Sequence, residues 1–335
     1  MLQCLQDKKI PCQNLQEVLQ GVGEQDPNMA ISNGKDLYPV IKSFLMPSQN
    51  LGNACSQNIN SSTWIKQTLG KFAQFAEYKD FVDLFPNFNA LDALTSLTVP
   101  QIVAFSLESG SGSNSNSVGQ IMGTLQRPGD VQNFLSSFNS AAKNVSSLPS
   151  PLAQGLLNKT LQVLIPNLST SNSSDWSALF QNNLNLVLPE ITPGQLNFLP
   201  LNISCDSFQA VVKGMDAQIN NLKNVKPEDI FKVVIKPYLS QKVTTCPQNI
   251  GSGAWIQQNL GRYSKSATYN DLVSMNPNFN GVDALSNLTQ QQIVSFCLES
   301  SVGNDPKGVS AIVGLYPDPN DITNFLAQIN TAADS

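Results

Sequence analysis

Apolar side chains recur along this chain at intervals of three and four, the spacing that lines one face of an α-helix. After Cys12, Leu15, Val18 and Leu19 fall on one stripe, and after Cys205, Phe208, Val211 and Val212 do the same. Ile102, Val103 and Phe105 follow Thr98, just as Ile293, Val294 and Phe296 follow Thr289. Polar residues punctuate these runs. Thr98 and Thr289 are expected as N-caps, as are Asp80 and Asp271 for "FVDLF" and "LVSM", and Asp130 and Asp321 for the last helix of each half. Gly70 and Gly261 should end the helices that hold Trp64 and Trp255, and Pro86 and Pro277 the next ones. No stretch alternates apolar and polar long enough to predict a strand. The expected fold is therefore all-α, with helices of roughly 8 to 14 residues.

The pattern is written twice. Residues 55–144 align with 246–335 at a constant offset of 191, and 42 of the 90 positions are identical. The likeness continues upstream, where "CQNLQEVLQGVGEQ" from Cys12 parallels "CDSFQAVVKGMDAQ" from Cys205, and Lys35–Leu45 parallels Pro227–Leu239. A third, compressed copy lies between them. Trp176 precedes Thr192 by 16 residues, against 34 between Trp64 and Thr98. The expected organisation is repeat one over 1–144, a degenerate half-module with a glycan-rich connector over 145–200, and repeat two over 201–335. Stacked short helices of this kind predict a superhelical solenoid of the armadillo or HEAT sort, each unit burying its apolar face on its neighbour. Within repeat one, "SGSGSNSNS" (Ser109–Ser117) reads as an exposed flexible loop, serving as a connector.

Composition narrows the function. Charged residues make up only 13% of the 335, and the net charge is -5 with no basic run, which argues against nucleic acid and anionic membrane as partners. No run of apolar residues is long enough to span a bilayer. Histidine is absent, which removes Ser-His-Asp and Cys-His catalysis and every His-ligated metal site. Met1 opens no apolar leader and Ser335 follows no lipidation box, and since repeat two runs to the last residue, an excised piece of a longer array is expected.

Six cysteines occur, and four obey the repeat: Cys12 matches Cys205, and Cys55 matches Cys246. Equivalent positions should have equivalent partners, so the predicted bridges are Cys12–Cys55 and Cys205–Cys246. Cys4 and Cys297 have no partner implied by symmetry, and Cys297 stands where repeat one has Ser106. N-glycosylation sequons stand at Asn60, Asn144, Asn158, Asn167, Asn172, Asn202 and Asn287, a number close to chance for so Asn-rich a chain. Four of them crowd into 144–172. With the bridges, they point to a secreted or cell-surface chain.

Other chemistry is weaker. The repeated carboxylates (Asp80/Asp271, Asp92/Asp283, Glu108/Glu299, Asp130/Asp321) could be read as acid/base pairs for glycoside hydrolysis, but they mostly stand at helix starts. A catalytic pair also needs two unlike environments, whereas duplication supplies like ones. Asp305, Asp318 and Asp321 sit in turns without the spacing of a calcium loop. Trp64, Trp176 and Trp255 could stack on a ligand, yet their recurrence at one helical position favours a packing anchor. No cofactor-binding fingerprint occurs.

The segments "PNFNALDALTSLTVPQIVAFSLES", its second copy "PNFNGVDALSNLTQQQIVSFCLES", and "NISCDSFQAVVKGM" resemble the mesothelin, stereocilin and otoancorin group. In that group the helix starts read Leu-Thr-x-x-Gln-Leu/Ile, and here those are Leu97–Ile102, Ile191–Leu196 and Leu288–Ile293. The resemblance implies a glycosylated surface or matrix protein built as a superhelical array and involved in adhesion or in attaching extracellular gels. The expectation is thus an extracellular, non-enzymatic structural or adhesive repeat protein of cell surface, mucus or matrix. Its partners would be proteins or glycans, or further copies associating head to tail. The alternative is a secreted carrier of a hydrophobic small molecule between helices.

Overall fold

The computed structural model describes residues 12–25, 34–46, 59–145, 148–170, 172–241, 246 and 250–334. Among these residues every regular element is helical and no strand occurs, so the fold is all-α. The chain forms two compact units, the first ending at Lys159 and the second beginning at Thr160. That boundary falls inside the segment read as a separate half-module, for a packing reason. Helix Ser150–Lys159 buries Leu152, Ala153, Leu156 and Leu157 within the first unit. It approaches so closely that a Cβ on Gly155 would stand 2.7 Å from Val118 Cγ1. The rest of the half-module serves the second unit, where a Cβ on Gly214 would meet the Phe180 carbonyl oxygen at 2.5 Å.

In the first unit, helix Cys12–Gln25 buries Leu15 and Leu19, and helix Gly34–Leu45 buries Tyr38, Ile41 and Leu45. The first packs on the tryptophan helix, and the second on the 3₁₀ turn that follows it and on helix Tyr78–Leu84. The tryptophan helix starts at Asn60, whose side chain accepts from the Thr63 N–H at 2.8 Å, and runs through Ser61–Trp64 into a π-helical turn, Ile65–Leu69. It stops at Gly70, whose φ of +52° is costly for any residue with a Cβ; Gly261 has the same φ in the second unit. A 3₁₀ turn, Gly70–Phe75, then leads to helix Tyr78–Leu84, and helices Val99–Glu108, Ser115–Gly123 and Pro128–Ala141 complete the layer. Trp64, Leu69, Phe72, Phe81 and Ile41 share one core, each stabilising by roughly 1.5–3 kcal/mol relative to an exposed side chain. Trp64, Trp176 and Trp255 are all buried, so each anchors packing.

The Leu-Thr-x-x-Gln motif acquires a physical reason here. Gln101 accepts from the Thr98 N–H at 2.8 Å, closing a capping box, and its amide donates to the Ala73 and Ala76 carbonyls at 2.8 and 2.6 Å. Gln292 does the same with Thr289, Ser264 and Ala267. One buried glutamine therefore starts its own helix and satisfies the end of the preceding 3₁₀ turn. In the third copy Gln195 also accepts from the Thr192 N–H at 2.8 Å.

Three expectations are corrected. Asp80 and Asp271 are not N-caps: their helices begin one turn earlier, after Glu77 and Thr268, and both carboxylates reach back to the cap N–H from the third position. Asp130 likewise stands third after Arg127, and Asp321 follows the true cap, Asp318. Nor is Ser109–Ser117 a flexible loop. A 3₁₀ turn, Ser111–Ser113, leads to Asn114, which caps the next helix by accepting from the Asn116 and Ser117 N–H groups at 3.0 Å. Its small residues are needed for closeness, because a Cβ on Gly112 would stand 2.5 Å from the Ser106 carbonyl oxygen.

Both units also carry an ion pair between neighbouring helices. Lys42 bonds to buried Asp80, which also accepts from the Tyr38 hydroxyl at 2.8 Å; Lys236 lies 2.7 Å from Asp271. The offset between the copies steps from 193 at Asp36/Asp229 to 194 at Lys42/Lys236. The extra residue is taken up by a π-helical turn, Phe231–Ile235, which is absent from helix Gly34–Leu45. Ile41 and its counterpart Ile235 are both fully buried despite this change.

Candidate functional site

Each unit has a groove between its opening helix and its tryptophan helix, and the two grooves are the same place in the repeat. The first, about 600 Å³, is lined by Leu19, Gln20, Lys66, Gln67 and Gly70 among others. The second, about 630 Å³, is lined at the equivalent positions by Val212, Lys213, Gln257, Gln258 and Gly261. The contact between the two helices is duplicated as well. Gln16 donates to the Thr68 hydroxyl at 3.2 Å, and Gln209 donates to the Asn259 side-chain oxygen at 3.0 Å. Gly70 and Gly261 close one end, where their positive φ turns the chain away. Gln16, Gln67 and Gly70 are unchanged as Gln209, Gln258 and Gly261, and these invariant polar positions were the signal that the periodicity reading passed over.

The grooves differ in charge. In the first, Lys66 and Lys71 are exposed, and neither forms an ion pair among the described residues. In the second, Lys213 and Asp206 both line the wall, and Asp216 holds Arg262 through its side chain at 3.2 Å and accepts from the Arg262 N–H at 3.0 Å. Ser173, Ser174 and Ser177, from the third tryptophan helix, add hydroxyls to that wall. The first groove is thus cationic and the second close to neutral. Both are open to solvent and edged by amides that donate and accept.

Set against known proteins, the chain stands apart. No family model, curated protein or solved structure matches it.

The other candidate residues lie elsewhere. A disulfide joins Cys205 to Cys246, with their Cα atoms 5.3 Å apart, the second of the two pairings implied by the repeat. The Cys12–Cys55 pairing and Cys4 fall outside the described residues. Cys297 is a free, half-buried thiol, and burial pushes its pKa up, away from the reactive thiolate. Among the sequons, Asn60, Asn158, Asn167, Asn172 and Asn202 are exposed and Asn287 is half-buried, while the side chain of Asn144 is not among those described. Asn167 donates to the Val163 carbonyl at 2.8 Å, and Asn172 caps its helix by accepting from the Ser174 N–H at 3.1 Å.

The repeated carboxylates are engaged in structure. Burial alone would raise Asp80, but donation from Lys42, the Glu77 N–H and the Tyr38 hydroxyl holds it below the usual carboxylate range. Asp271 is lowered in the same way, against burial, by Lys236 and the Thr268 N–H and hydroxyl. Asp130 is lowered by Arg127 at the surface. Asp305 and Asp318 cap helices, and among the described residues no three Cys, Asp or Glu side chains gather as a metal site. No described helix is long and apolar enough to cross a membrane.

Proposed function

We propose that this is an extracellular, non-enzymatic adhesive or structural repeat protein that binds glycan at the equivalent groove of each of its two units. The observation that carries the reading is the duplicated groove itself: an open trough edged by exposed amides, Gln67 and Gln258, recurring at one position of the repeat. A hydroxyl-rich chain needs paired donors and acceptors along an open path, which carboxamides supply. The Cys205–Cys246 bridge and the exposed sequons support an oxidising, secreted setting. The helical repeats and their Leu-Thr-x-x-Gln starts support membership in a mesothelin-like group of superhelical arrays. Lys66 and Lys71 direct the first groove to anionic glycans, while the second takes neutral ones.

The test is a binding screen of the secreted chain against acidic and neutral polysaccharides, repeated with Lys66→Glu/Lys71→Glu. Retention of acidic glycan that the double variant abolishes, at unchanged melting temperature, is the expected result. Equal retention by both proteins, or by neither, sinks the reading. Intact mass before and after deglycosylation checks the compartment separately.

A further inference from the structure

Asp216, near the end of helix Cys205–Ala217, reaches across the second groove to the turn at Gly261. One of its side-chain oxygens accepts from the Arg262 N–H at 3.0 Å and from Arg262 Nε at 3.2 Å, and the other accepts from Nε at 3.3 Å. The guanidinium donates to the Asp216 carbonyl as well. The carboxylate lies flush on the turn, because a Cβ placed on Gly261 would stand 3.2 Å from its Cγ and from its Oδ1. The first groove repeats the turn without the acid. Gly70 has the same φ of +52°, and Lys71 stands where the second copy has Arg262, but Gly23 takes the place of Asp216. A Cβ on Gly70 would meet no described residue within 4 Å. Lys71 is exposed on the wall of that groove and forms no ion pair among the described residues. The turn and its cation therefore occur in both copies, and only the second copy supplies the anion from its own chain.

We propose that the turn at Gly70 is a carboxylate subsite of the first groove, taking the acid group of a uronic-acid-type sugar against Lys71 as the Asp216 carboxylate lies against Arg262. The second copy shows what these positions hold when the chain provides it: a carboxylate laid on the glycine, bonded to the backbone N–H and to the cation that follows. Hydrogen bonds between ionised partners are the strong ones, so one such group can decide which sugar is kept. The inference rests on the groove reading and deepens it, naming the kind of anionic sugar that the first groove takes. It also identifies position 23, the counterpart of Asp216, as a residue that sets the two grooves apart. In the second groove the subsite is filled from within, which closes it to acidic sugars although its arginine is present.

The experiment is calorimetric titration of the full chain with oligomers of alginate, a polyuronate that carries no sulfate. The wild type should bind at one site, weakened about tenfold by Gly23→Asp, which sets a carboxylate where the second copy has one. Asp216→Gly should add a second site, lost again when Arg262→Glu is combined with it. A gain of binding cannot come from unfolding, so this arm stands even if Gly23→Asp perturbs its helix. Affinity unchanged in Gly23→Asp, with binding still lost in Lys66→Glu/Lys71→Glu, would leave the groove reading standing and overturn the subsite. Failure of Asp216→Gly to gain a site overturns it too. Dextran sulfate bound as tightly, and weakened as much by Gly23→Asp, would make the turn a site for any anion and overturn the assignment to a carboxylate. No binding of alginate by the wild type sinks the groove reading and the subsite together.

Discussion

The buried glutamine of the Leu-Thr-x-x-Gln motif can be tested without touching the shape of the core. Gln101 is 3% exposed and takes part in three hydrogen bonds, to the Thr98 N–H and to the Ala73 and Ala76 carbonyls. In Gln101→Glu the volume is conserved and the acceptor for Thr98 remains, but both donors to the carbonyls vanish. Two buried carbonyls then face a carboxyl. Each lost partner costs about 1–3 kcal/mol, so the whole change should reach about 3–5 kcal/mol. Gln101→Met removes all three bonds and leaves no new charge, so its cost should fall near about 2–4 kcal/mol. Urea denaturation followed by circular dichroism and tryptophan fluorescence reads the difference. With a slope of about 2 kcal/mol per molar, the transition of the first unit should move down by about 1.5–2.5 M for Gln101→Glu. The defect should shrink in acid, since a carboxyl whose folded pKa is raised can protonate and donate to one of the carbonyls. Gln292→Glu should reproduce the shift in the second unit, whose glutamine makes the same bonds. A midpoint moved by less than about 0.3 M in both variants would refute the idea that the motif exists to satisfy buried backbone.

Three further outcomes follow from the packing. Cys205→Ser opens a loop with a separation of 41 residues, and chain entropy puts the loss at about 4 kcal/mol, or about 10 °C in melting temperature; a reductant should mimic it in the wild type. Asp80 and Asp271 have folded pKa values below their unfolded ones, so the stability they add is present at neutral pH and lost as pH falls below about 4; scanning calorimetry from pH 7 to 3 should show that decline, and Asp80→Asn should flatten the first unit's share of it. Gly261→Ala must force an L residue to a φ of +52°, costing about 1–2 kcal/mol, visible as a lowered urea midpoint, whereas Gly251→Ala at an ordinary φ should change it little.

Much of the fold was legible because it is local. Thr98 and Thr289 cap helices where the periodicity starts, Gly70 and Gly261 follow the ends of the tryptophan helices, and the duplication carried each reading from one copy to the other. The errors arose where a residue's task depends on partners far along the chain. Asp80 looked like a cap because caps are decided within three residues, but its ion partner Lys42 lies 38 positions away. Ser109–Ser117 read as a flexible loop by composition, although Gly112 is hemmed in by the Ser106 carbonyl and by Leu152, 40 positions further on. The grooves were illegible for the same reason: their walls join Gln16 to Thr68 and Gln209 to Asn259, pairs that no periodicity brings together. A line-by-line comparison of the two copies for unchanged polar residues would have singled out Gln67, Gly70, Gln258 and Gly261.

The π-helical turn at Phe231–Ile235 bears on how such a chain can change over generations. One codon gained inside a regular helix would rotate every later side chain by about 100° and tear Lys236 away from Asp271. Confined to a single widened turn, the gain left Ile235, Tyr238 and Leu239 seated in the core and the lysine still in reach of its acid. Descendants of one ancestral module can therefore drift in length without losing their ability to stack. In a lineage that grows by copying itself, that tolerance is what allows the copies to become different.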